Sequence, residues 1–78
     1  MIDSVLAKFK VGSVTDFGNN NHNVKLSPVT SGSKENESFS MYTPSGQIEM
    51  HITNPDCIGF FEAGSEYYVE FKKAPKSI

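Results

Sequence analysis

Apolar and polar residues alternate near the start of the chain, with Val5, Ala7, Phe9 and Val11 on one side and Lys8 and Lys10 on the other. A two-residue period belongs to a strand with one buried face. Gly12 breaks the phase, because the next apolar residue is Val14, and a lone glycine in such a pattern predicts a bulge or bend. Residues 17–23 are rich in Gly and Asn, which tolerate left-handed backbone, and predict an exposed hairpin loop. Val24 and Leu26 resume the inward phase in a second strand, which ends at Pro28 because proline brings no ladder donor.

Residues 30–38 hold no large apolar side chain and read as a solvated loop. A short strand over Phe39–Thr43 follows, then a turn at Pro44-Ser45-Gly46, then an alternating strand over Gln47–Thr53 with Ile48, Met50 and Ile52 inward. Asn54-Pro55-Asp56 is a helix-start signal, and a short helix over 55–61 is expected to bury Ile58 and Phe61. Residues 62–65 turn into the last strand, 66–72, with Tyr67, Val69 and Phe71 inward. The expected fold is mainly β: one domain over residues 1–78, with 73–78 as a frayed tail. Five strands with a helix before the last suit a small Greek-key barrel, similar to the oligonucleotide/oligosaccharide-binding fold, with an SH3-like barrel as the competitor.

Composition narrows the function. The 78-residue chain supports one small core, and it has no apolar run of about 18 residues that could span a bilayer, so no membrane role is expected. Its one cysteine, Cys57, excludes an internal disulfide, and no signal-peptide pattern opens the chain, so a cytoplasmic setting is expected. Seven lysines and no arginine against nine carboxylates give a net charge of -2. That balance is far from a strongly basic nucleic-acid binder.

Three stretches, Ala7–Val11, Val24–Ser33 with Glu35-Asn36 and Tyr42–Gly46, and Phe61–Phe71, together resemble a family of very small bacteriophage-encoded proteins, with Ala63-Gly64 standing in place of that family's more usual Pro-Gly turn. The resemblance covers most of the chain and implies a phage origin, with the host cytoplasm as the setting. The family has no assigned activity, so no site residue comes with it.

The chemistry-bearing residues do not assemble into a catalytic pattern. Ser31-Gly32-Ser33 and Thr43–Gly46 lack the lysine and following helix of a phosphate loop and read as turns. His22, His51 and Cys57 have no paired metal spacing; both histidines read as solvent-facing and Cys57 as a small hydrophobe, so neither metal nor cofactor is expected. Glu35, Glu37, Glu49, Glu62, Glu66 and Glu70 read as a solvated face near their ordinary pKa. The protein is therefore expected to be a non-enzymatic binding module.

Lys8, Lys10 and Lys25 are predicted to share the outward face of the first hairpin as a local basic strip, while Phe39, Tyr42 and Tyr68 are aromatics left over by the inward phase. Together they mark the expected partner surface. Tyr and Phe favour protein interfaces, including a homo-oligomer formed through edge strands near Pro28 or at 39–43. The alternative is a single-stranded nucleic-acid binder that stacks bases on Tyr42 and tracks phosphates with the lysines, although the chain lacks Arg and Trp.

Overall fold

In the computed structural model, which describes residues 4–76, the alternating run at the start forms β1, Ser4–Gly18, and folds back as β2, Asn21–Pro28. The expected loop of residues 17–23 shrinks to a two-residue turn. Asn19 and Asn20 both have positive φ, 53° and 63°, the conformation that lets a tight hairpin follow the twist of its strands. Gly12 lies unpaired between Val11 and Ser13, where the register shifts, so the broken phase is a bulge.

The segment expected to be loop and short strand is a helix, α1, Lys34–Tyr42. Ser33 caps it in extended backbone, its side chain accepting from the Asn36 N–H at 3.0 Å, with Glu35 and Glu37 in the positive first turn. Ile48–Ile52 forms β3 and Glu66–Lys72 forms β4. Between them, the expected helix over 55–61 is a single 3-10 turn, Pro55–Cys57. Its cap is as read, since the Asn54 side chain accepts from the Asp56 N–H at 3.0 Å, but Gly59 enters left-handed backbone at φ 82° and ends the turn.

Among the described residues the result is a mainly β fold of four strands, in a curled antiparallel sheet of order β3-β2-β1-β4, a half-barrel rather than the five-stranded Greek-key closure expected. Both of its flanks are edges. β2 is paired on both sides, on the β3 side only as far as Leu26 so that Pro28 pairs with β1 alone, and residues 39–42 lie in α1, so neither β2 as a whole nor 39–42 is an edge strand. β3 and β4 are.

Ala7, Phe9, Val11, Val24 and Leu26 form the buried core on the concave face, with Ile48, Ile52, Phe61, Tyr67 and Val69 packed partly against it. His22, expected in solvent, is buried at 7% exposure because it continues the inward phase of Val24 and Leu26. His51 is exposed, on the convex face. Val5 and Phe71, expected inward, are opposite one another on the concave face but stay 53% exposed each, because β2 pairs with β1 only from Phe9 onward and leaves that corner uncovered. Ile58 is exposed rather than buried, as its helix does not form.

The Cα radius of gyration is 14.4 Å, and the thinnest dimension is 18 Å. A closed domain of this length would have a radius near ~11.5 Å. The chain is a flattened, partly covered sheet. Residues 73–76 are irregular and exposed; the last part of the expected tail, 77–78, lies outside the described residues.

Candidate functional site

Two surfaces gather the chemistry of this fold. The first is the convex face where α1 rests on β1. Lys8 projects there and donates to Glu35 Oε2 at 2.6 Å, with Glu66 Oε1 at 3.4 Å. The Tyr68 hydroxyl donates to the same Glu35 carboxylate at 3.0 Å, and its ring centre lies 5.5 Å from the Lys8 ammonium. Asn36, 3% exposed, donates through Nδ2 to Ser31 O and to Glu66 Oε2, both at 2.9 Å.

These contacts shift the titrations. Hydrogen bonds from Lys8 and then Tyr68 hold the Glu35 carboxyl below its ordinary value, against the sequence-based expectation for that residue. The bond to Glu35 pushes both the Lys8 ammonium and the Tyr68 hydroxyl up.

The expected basic strip is thereby broken. Lys8 retains 11% side-chain exposure and is held by two carboxylates. Lys10 and Lys25 stay exposed on the convex face, Lys10 opposite Glu66 and Lys25 opposite Glu49 in the strand register. Phe39 is half-buried on α1, its ring 6.1 Å from that of Tyr68. Tyr42 ends α1 and is 81% exposed. The structure therefore joins Lys8, Phe39 and Tyr68 under α1 and leaves Tyr42 apart. Glu35 and Glu66, expected on a solvated face, complete that cluster with Asn36, which carried no expected role, although the Ser33 cap and the two early acids were a legible helix signal.

The second surface is the concave face, between the β3 and β4 edges of the curled sheet. An apolar groove of about 320 Å³ runs there, lined among others by Leu26, Ile48, Met50, Phe60, Phe61 and Val69. Its aromatic wall is internally braced. Phe60 and Phe61 meet edge to face at 4.9 Å, and both pack on Tyr67. The Tyr67 hydroxyl donates to Phe60 O at 2.7 Å and accepts from the Glu62 N–H at 2.9 Å, which fixes the segment before β4 against the sheet.

A second hollow of similar volume, about 310 Å³ with a mixed polar and apolar lining, lies at the hairpin end and includes Asp16 and His22, which are register partners. Asp16 Oδ1 already accepts from the Gly18 N–H at 2.8 Å, and the two side chains form no ion pair among the described residues. No group of three His, Cys, Asp or Glu among the described residues could hold a metal ion, and no helix is long and apolar enough to cross a membrane. No protein-family model matches the chain, and no curated protein or solved structure is significantly similar to it.

Proposed function

We propose that the protein is a non-enzymatic binding module that takes an extended segment of a protein partner along the free edge of β4, with alternate side chains of that segment entering the apolar groove. The observation that carries this reading is the combination of an unpaired edge with a lined groove directly beside it. Strand addition uses such a pair: main-chain hydrogen bonds supply affinity, and pockets for every second side chain supply selectivity. A partner strand on β4 would extend the sheet to five strands, bringing the half-barrel closer to a barrel. In this reading the module is of phage type and acts in the host cytoplasm.

A single-stranded nucleic-acid interface has less support. Of its three lysines, Lys8 is held by Glu35 and Glu66, and Lys10 and Lys25 are opposite carboxylate-bearing positions, so few counterions would be released on phosphate binding. Selection of displayed random peptides on the immobilised protein should enrich sequences alternating apolar and polar residues, and a Glu70→Pro variant should lose them. Absence of enrichment, together with a labelled oligonucleotide bound with a steep salt dependence, would contradict the proposal.

A further inference from the structure

The backbone bonding pattern identifies which groups on β4 are free. Val11 donates its N–H to Ser65 O at 2.9 Å and accepts from the Gly64 N–H at 2.8 Å, so both its backbone groups aim at the β4 side. Bonding direction alternates along an antiparallel strand, and Phe9, Ala7 and Val5 therefore bond their register partners Tyr67, Val69 and Phe71. Lys8 O, on the opposite phase, accepts from the Val29 N–H on the β2 side. Glu66, Tyr68, Glu70 and Lys72 thus direct their N–H and C=O groups away from the sheet, where no strand lies among the described residues.

We propose that the segment taken by this edge is β4 of a second copy of the chain, paired antiparallel about a twofold axis at Val69. The inference rests on the strand-addition reading above and names its partner. A twofold pairing keeps free groups opposite free groups and concave face beside concave face only when the axis passes through a residue rather than between two. Centring on Tyr68 sets Glu66 against Glu70, and centring on Glu70 sets Glu70 against its own copy. Like charges directly opposite destabilise a sheet.

Centring on Val69 pairs all seven residues of β4 and opposes no like charges. Glu66 then lies opposite Lys72 and Tyr68 opposite Glu70, each pair occurring twice, and all four outward residues of each strand bond their counterparts. On the concave face, Val69 meets Val69, flanked by Tyr67 against Phe71. Phe71, 53% exposed in the single chain, would come beside the Phe60–Phe61–Tyr67 aromatic wall of its neighbour. Two four-stranded half-barrels would become one continuous sheet of eight strands. β3 offers a shorter edge, five residues against the seven of β4.

The register is tested by cysteine scanning in a Cys57→Ser background. In this pairing Val69 forms a non-hydrogen-bonded pair with its copy, Cα atoms about 4.5 Å apart, within disulfide reach. Val69→Cys should cross-link almost completely under mild oxidation. Tyr68→Cys and Glu70→Cys should cross-link several-fold less, because each lies opposite the other residue and not its own copy. By light scattering at tens of micromolar, the parent chain should have twice the 8.6 kDa chain mass. Glu70→Pro should return it to the single mass with its sheet signal intact, since that N–H points away from β1.

Preferential cross-linking at Tyr68→Cys or Glu70→Cys, or a parent chain of single mass, would overturn the proposal. A parent of single mass that still enriches alternating peptides overturns self-pairing alone. One that enriches none overturns the strand-addition reading as well.

Discussion

Phe9→Ala is expected to remove a large share of the protein's folding stability. Phe9 is 5% exposed and is the largest of the buried hydrophobic side chains, the others being Ala7, Val11, Val24, Leu26 and Val29. It lies mid-sheet, opposite Pro28 on one side and Tyr67 on the other. Truncating a buried Phe costs about 3–5 kcal/mol through lost transfer energy and the cavity left behind. A domain of this length has about 4–12 kcal/mol in total. Urea denaturation should show the midpoint falling steeply; a loss under about 1 kcal/mol would mean that the concave face is not the core.

Asn36→Asp should undock α1 while leaving the sheet folded. The native amide donates to Ser31 O and Glu66 Oε2 from a site 3% exposed, and a carboxylate can donate to neither at neutral pH. The introduced charge would join Glu35 and Glu66 around one cation, Lys8. Loss of two donated bonds plus an uncompensated buried charge should cost about 3 kcal/mol. Like charges raise the introduced group's pKa above its unfolded value, so the deficit should be largest above that range and shrink as pH falls and the carboxyl is protonated. Circular dichroism at the helix band, followed between neutral and mildly acidic pH, should show the helix signal low at pH 7 and partly restored in acid. A helix signal equal to the parent's at pH 7 would contradict the assigned role of Asn36.

What the sequence carried was the set of alternating strands, because burying one face imposes a two-residue period that survives without any knowledge of partners. Val24 and Leu26 even extend that period back to His22; the surrounding Asn-rich segment masked it by resembling a long loop. α1 escaped because the residue it buries is Asn36, not an apolar stripe, and polar anchoring leaves no hydrophobic period. The opposite error occurred at 55–61, where a true cap at Asn54 precedes Gly59, whose left-handed backbone stops the helix.

The candidate surface was legible only in part. Lys8 and Tyr68 belong to neighbouring strands and were both recognised as outward, but their capture by Glu35 depends on a helix arriving from 27 residues away from Lys8. The β4 edge depends on strand order, which alternation does not encode.

Amide hydrogen exchange along β4, recorded by NMR at the lowest workable concentration and again with the edge occupied, tests the central claim most directly. Tyr67, Val69 and Phe71 should be protected in both conditions. Tyr68, Glu70 and Lys72 should exchange freely when dilute and gain protection on occupation, the alternation that a one-sided edge strand requires. Equal protection of all six amides in the dilute chain, or failure of the even-numbered set to gain any on occupation, would show that this edge is not the place where the module binds.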